Sequence, residues 1–157
     1  MKKILPILFL TAAAAAPAAA AEAAAAKWGA ECGACHVAYP PQFLPAATWR
    51  RIMSGLDKHF GSDASLDAAT TTQIQAYLVE HAGSRWRRDD PPSLRISETS
   101  WFRHEHNHEM DPAVFKDPRV KSAANCGACH VDAARGNFSE ENVRIPVTGA
   151  RRDEDDD

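Results

Sequence analysis

The stretch that decides the fold is the hexapeptide CGACHV, which spans residues 32–37 and recurs unchanged at residues 126–131. The two copies hold all four cysteines of the 157-residue chain. Four arrangements use such pairs: disulfides, a tetrahedral zinc site, a thioredoxin-like dithiol and covalently attached haem. No βαβ pattern surrounds either copy, which disfavours the dithiol.

The histidine that follows each second cysteine favours haem. Because His36 follows Cys35 and His130 follows Cys129, both copies read C-x-x-C-H, the attachment sequence for c-type haem. In that motif the cysteines form thioethers with the porphyrin, and the histidine is the proximal iron ligand. Neither a zinc knuckle nor a dithiol requires a histidine there twice. The sequence therefore predicts two covalently bound haem c groups, attached at Cys32, Cys35, Cys126 and Cys129.

The N-terminus carries an export signal. Two lysines, an apolar run and a small-residue A-x-A region predict a cleaved secretory signal peptide over residues 1–21. An uncleaved membrane anchor is the weaker alternative, because Pro6 and Pro17 interrupt the run. Bacteria attach c-type haem outside the cytoplasm, so we expect a periplasmic protein without stable membrane insertion.

The charge of the mature chain argues against binding to nucleic acid. Without Lys2 and Lys3, 16 basic residues remain of 18, against 21 acidic ones, which gives a net charge of −5. A nucleic-acid-binding protein would usually show a basic excess, and none is visible. The final five residues are all acidic, which predicts a disordered tail over residues 147–157, with docking to a basic partner as the alternative.

Composition predicts two haem domains. Residues 22–83 form the first, with helices expected over residues 22–31, 48–60 and from Asp67 to just before Gly83. The charged, proline-terminated stretch SRWRRDDPP predicts a linker over residues 84–93. The second domain, residues 94–146, is so short that we expect its haem to supply much of its core.

The sixth ligand of the first iron is predicted to be His59. This histidine lies near the end of the amphipathic 48–60 segment, on or beside its apolar face. An ordinary hydrogen-bonded core histidine is the alternative, but an iron in need of a ligand favours ligation. His81, at the same spacing on the next helix, is the reserve ligand.

The sixth ligand of the second iron is predicted to be His106. In the run SWFRHEHNHEMDP, a helix would place Phe102, His106 and Met110 in one row. His104 and His108 would then face water. An extended chain would put all three histidines on one face and leave the ligand undecided between them. Met110 is the rival ligand.

With these features the chain resembles the bacterial dihaem cytochrome c family of small soluble periplasmic carriers. The matching segments are CGACHVAYPP, LPAATWRRIMSGLDKHFG, SLDAAT, RISETSWF, EH, VKSAANCGACH and NVRIP, between residues 32 and 146. The resemblance implies a mainly α fold, with an N-terminal domain like a class I cytochrome c and a small, distinct C-terminal haem domain. It also implies bis-histidine haems, with His36 and His130 as proximal ligands and His59 and His106 as distal ones.

The expected function is one-electron transfer, without catalytic residues. Histidine in place of methionine at the sixth position predicts a low reduction potential. The resemblance implies electron donation to a small oxygen-binding c-type haem protein, with a b-type membrane cytochrome as the upstream donor. The alternative is a dihaem peroxidase-like or gas-binding protein, which would need one open iron position.

Overall fold

The computed structural model describes residues 16–84, 93–107 and 110–147. In these ranges the α-helices are α1 (Ala16–Gly33), α2 (Ala46–Met53), α3 (Ala68–Glu80) and α4 (Ser100–Asn107). Short 3₁₀ helices lie at Pro41–Phe43, Leu56–Lys58, Ile96–Glu98, Pro112–Lys116, Cys126–Ala128, Ala133–Arg135 and Glu140–Asn142. The same ranges contain no β-strand, and isolated bridges join His59 to Ser62 and His130 to Val143. The predicted mainly α fold is confirmed.

The largest core joins α2 and α3. Trp49 is tied to the preceding segment, because its Nε1 donates to the Pro41 carbonyl at 2.6 Å. The predicted N-cap Asp67 starts α3 by accepting from the Thr70 amide at 3.0 Å. The buried members of this first core are Leu44, Trp49, Ile52, Met53, Ile74 and Leu78.

The helix predicted over residues 48–60 is wrong beyond Met53. The α-helix ends there, Ser54 is its C-cap, and a 3₁₀ turn follows at Leu56–Lys58. Gly55 has a non-helical φ of −132°, which breaks the helix while the apolar spacing continues around it. His59 therefore lies in a turn and not on a helix.

The first helix packs along α3 through Trp28, whose ring lies 5.5 Å from that of Tyr77. This helix was predicted over residues 22–31 and is longer, since it runs from Ala16 to Gly33. Most of the predicted signal peptide, residues 1–15, lies outside the described residues. Within the described ranges, no helix has the length and apolar character needed to cross a membrane.

The predicted end of α3, before Gly83, is confirmed. Tertiary packing explains why residue 83 is a glycine. The Gly83 amide donates to the Leu44 carbonyl at 3.1 Å. A Cβ at this position would collide with the carbonyl oxygen of Gln42, so the close backbone approach requires glycine.

The C-terminal part has a much smaller core, in which Val114 and Val120 are buried. The C-terminal part is stabilised by turns and by hydrogen bonds to backbone groups. Asp117 pairs with Arg119 at 2.9 Å, and the same guanidinium donates to the Pro146 carbonyl. The Arg144 amide donates to the Cys129 carbonyl at 2.8 Å, so the C-terminal segment is fastened across the second hexapeptide.

The two halves are in contact. Leu94 and Ile96, which open the predicted C-terminal domain, pack against the first core. The Trp101 Nε1 donates to the Phe43 carbonyl at 3.2 Å. Most of the predicted linker and tail, residues 85–92 and 148–157, falls outside the described residues, and the domain boundaries remain a prediction. Below, residues 16–84 are called the first region, and residues 93–107 with 110–147 the second region.

Candidate haem centres

The first hexapeptide lies where α1 ends. Cys32 is in the last turn of the helix, and Cys35 and His36 follow it. The His36 Nδ1 lies 2.7 Å from the Val37 carbonyl oxygen, and the imidazole stacks on Tyr39 with ring centroids 4.8 Å apart. These contacts set the orientation of the ring.

His36 faces His59, the residue chosen from the sequence as its partner. The two imidazole centroids lie 6.2 Å apart, and the rings are close to parallel, with 19° between their planes. His59 is presented by a tight turn, closed by a bond of 3.0 Å from the Ser62 amide to the His59 carbonyl. The reserve ligand His81 lies elsewhere: its ring packs on Tyr77 at 4.5 Å, and its Nδ1 lies 2.9 Å from the Tyr77 carbonyl oxygen.

The second hexapeptide is built without a long helix. Cys126–Ala128 forms one 3₁₀ turn, and the amides of Cys129 and His130 both donate to the Cys126 carbonyl. His130 packs on Phe138 with ring centroids 5.4 Å apart.

His130 faces His106 at the same separation as the first pair. The centroids are again 6.2 Å apart, but the planes are inclined by 72°. His106 lies on α4, stacks on the buried Phe102 at 3.9 Å, and holds its Nδ1 2.9 Å from the Phe102 carbonyl oxygen. The helical interpretation is therefore confirmed for residues 100–107 of this run, and Met110 lies beyond the end of the helix.

The other residues of that run differ in exposure. Met110 is buried and His104 is exposed, whereas His108 lies outside the described residues. The helix begins after Thr99, whose hydroxyl accepts from the Phe102 amide at 3.3 Å.

Both pairs have room for one metal ion between the rings. An ion bound by two imidazoles lies about 2 Å from each ring nitrogen, which separates the centroids by about 6 Å. Burial and the facing ring of His36 lower the pKa of His59, and Arg95 lowers it further. Burial and His106 likewise lower the pKa of His130. A lowered pKa keeps the imidazole neutral, the form that binds a metal.

The chain is similar to known proteins over most of its length. The model of the family described as Dihaem cytochrome c matches residues 28–138. A diheme cytochrome c from Shewanella baltica OS155 is 39% identical, with a TM-score of 0.68, and the match covers 82% of this chain and 97% of that one. A diheme cytochrome c from Rhodobacter sphaeroides is 43% identical, with a TM-score of 0.62 and 72% and 96% of the two chains covered. No curated protein matches the chain.

The chain belongs to the dihaem cytochrome c family.

As a dihaem cytochrome c, it carries two covalently bound c-type haems. The cysteines present fit this cofactor. All four thiols are free of disulfides. Burial, with the nearby Glu31, raises the pKa of Cys32 to about 11, and burial, with Cys129, raises that of Cys126 to about 11. Uncharged thiols at these positions are compatible with thioether formation, because a thioether bears no charge.

The two centres of this dihaem cytochrome c are adjacent. The Tyr39 hydroxyl, on the ring that stacks against His36, donates to the Ala124 carbonyl at 2.8 Å, two residues before Cys126. Burial, with the neighbouring Cys126, raises the pKa of Tyr39 to about 12, which keeps the hydroxyl protonated as a donor. This bridge is not predictable from the sequence, because nothing in the local pattern relates residues 85 positions apart.

Proposed function

We propose that this dihaem cytochrome c is a low-potential one-electron carrier of the periplasm, with both haems ligated by two histidines. The first iron is held by His36 and His59, and the second by His130 and His106. Each haem, when bound, accepts and releases one electron. The protein supplies the ligands, the burial and the contacts that set the potential.

The observation that carries this proposal is the pairing of imidazoles at both centres. Both pairs have centroids 6.2 Å apart, so each iron would have its two axial positions filled by the protein. A filled sixth position leaves no place for a substrate or a gas. This arrangement supports a carrier over the peroxidase-like or gas-binding alternative, which needs one open iron.

The second ligand of each pair supports a low potential. Imidazole stabilises ferric iron more than a thioether does, and Met/His ligation is the pattern that raises the potential. The buried Met110 is the rival ligand of the second iron, but His106 is the side chain that faces His130.

Contacts between the regions support electron exchange between the haems. Tyr39 joins the two centres through a stacked ring and a hydrogen bond of 2.8 Å. Phe43 of the first region meets Phe138 at 4.9 Å, and Phe138 packs on His130.

For partners, we propose a small oxygen-binding c-type haem protein as the acceptor and a b-type membrane cytochrome as the donor. Transient redox encounters bury little surface and are steered by charge. We therefore expect association with either partner to weaken as salt is added.

Carbon monoxide addition to the fully reduced protein tests the ligation. With both sixth positions filled, the Soret band stays unchanged. A shift at one haem in the wild-type protein would contradict the proposal, and peroxide turnover by the same sample would identify the alternative function.

Matched alanine variants sharpen that test. His59→Ala and His106→Ala should each open one iron and bind one equivalent of carbon monoxide. His81→Ala and His104→Ala change histidines of the same two regions that do not face a proximal ligand, so both should behave like the wild type. Carbon monoxide binding by either control would reassign the distal ligand.

A further inference from the structure

Arg95 places a positive charge beside the first haem centre from the second region. Its guanidinium carbon lies 4.4 Å from the centroid of the Phe60 ring, within the range of a cation–π contact. The Phe60 ring lies 4.8 Å from that of His59. The two distances together place the guanidinium within about 9 Å of the ligand ring.

The turn that carries His59 holds Phe60 in place beneath Arg95. Phe60 has a φ of +51° and Gly61 one of +101°, and the turn is closed by the bond between Ser62 and His59. A left-handed conformation has an energetic cost for a bulky residue. Although 43% of Phe60 is exposed, its ring is covered on one face by the guanidinium, which offsets part of that cost.

Arg95 is held firmly because its neighbours are anchored. Leu94 and Ile96 both pack against the first core. The Arg95 amide donates to the Ser93 hydroxyl oxygen at 3.2 Å, and the guanidinium pairs with Glu98 at 3.6 Å. The Arg95 side chain is 48% exposed, so neither its removal nor its neutralisation should disturb a core.

A fixed positive charge near a haem favours the reduced state, because reduction adds one negative charge to the iron. We propose that the positive charge of Arg95 raises the reduction potential of the first haem above the value that its two ligands alone would set. Glu98 offsets part of the effect. The inference rests on His59 being the distal ligand.

The expected size follows from Coulomb's law. For a half-exposed charge about 10 Å away, an effective dielectric constant of about 20 to 40 gives a factor of about four to seventeen in the reduction equilibrium. For one electron this factor corresponds to about 35 to 70 mV. Because the charge is partly exposed, the effect should shrink at high salt.

The test is a potentiometric titration of the dihaem protein at low salt. Arg95→Gln should lower one midpoint potential by that amount and leave the other unchanged. Arg95→Lys retains the charge and should stay close to the wild type. No shift in Arg95→Gln, or equal shifts at both haems, would overturn the proposal.

Two further variants identify which midpoint belongs to the first haem and test the direction of the charge effect. Glu98→Gln removes the offsetting charge and should raise the midpoint that Arg95→Gln lowers; a fall there would contradict the charge mechanism. His59→Met should raise the first haem's midpoint strongly, which identifies that haem. If His59→Met moves neither midpoint, the proposed ligation fails. If His59→Met moves one midpoint and Arg95→Gln moves only the other, the proposed ligation stands and the inference about Arg95 fails.

Discussion

The two haem regions use the same hexapeptide and the same separation between facing imidazoles, but they differ in what surrounds them. The first hexapeptide ends an 18-residue helix and adjoins a core whose members are Leu44, Trp49, Ile52, Met53, Ile74 and Leu78. The second forms a three-residue turn near a core of Val114 and Val120. The attachment chemistry therefore does not dictate the scaffold, since it requires only two cysteines, a histidine and a facing ligand.

The comparison predicts that the second region depends on its haem for folding, whereas the first does not. In Cys126→Ser/Cys129→Ser, the second region should lose nearly all protection from hydrogen exchange, because its apolar core is too small to offset chain entropy. The matched variant Cys32→Ser/Cys35→Ser should leave α3 protected. Exchange measured by mass spectrometry on both variants decides the matter, and a protected second region without its haem would break the comparison.

Truncation of a buried side chain should cost more unfolding free energy in the first core than in the second, and both losses should be smaller than the effect of removing a haem. Ile74 is fully buried in the first core, and Ile74→Ala should cost about 2–5 kcal/mol of unfolding free energy. Val120 is 1% exposed, and Val120→Ala removes only two methyl groups, which should cost about 2 kcal/mol. Denaturant unfolding of the holoproteins measures both. Ile74→Val, at about 1 kcal/mol, is the control for a smaller cavity at the same place.

The ring planes distinguish the centres spectroscopically without a change in stability. The first pair is nearly parallel at 19°, whereas the second is inclined by 72°. Parallel imidazoles donate to the same iron d orbital and separate its energy from that of the second d orbital of the same type. Perpendicular imidazoles affect the energies of both orbitals equally. Electron paramagnetic resonance of the oxidised protein should therefore show two different low-spin signals, of which the second is the more anisotropic. Two identical signals would mean that both pairs adopt one orientation.

The smallest effect concerns the fastening of the C-terminal segment at acid pH. Hydrogen bonds from Arg119 lower the pKa of Asp117 from 3.8 to about 2. Because the folded pKa lies below the unfolded one, this stabilisation is present above about pH 4 and is lost as the pH falls through about 2. Exchange protection of the Arg144 amide, which donates to Cys129, should decline over that window. Asp117→Asn should remove the pH dependence, and a dependence that persists would assign it to another group.

Much of the site was predictable from the sequence, because it depends on local spacing. The motif C-x-x-C-H predicts the attachment residues, and the spacing of Phe102 and His106 predicts the helix on which His106 faces His130. The N-cap at Asp67 depends on bonds within four residues and was also correct. The prediction for His59 selected the right residue to face His36 but placed it on a helix, because apolar spacing alone does not show where Gly55 breaks the chain.

The sequence by itself determined that this protein is mainly helical, holds two c-type haems and places histidines where each could face a proximal ligand. Only the tertiary structure decided how the regions meet: Tyr39 reaches Ala124, and Arg95 covers Phe60. The inclination between the rings of each pair was also decided there. The reason is physical. Helical periodicity and attachment motifs act over a few residues, whereas these contacts depend on how separate segments bury their apolar faces against each other.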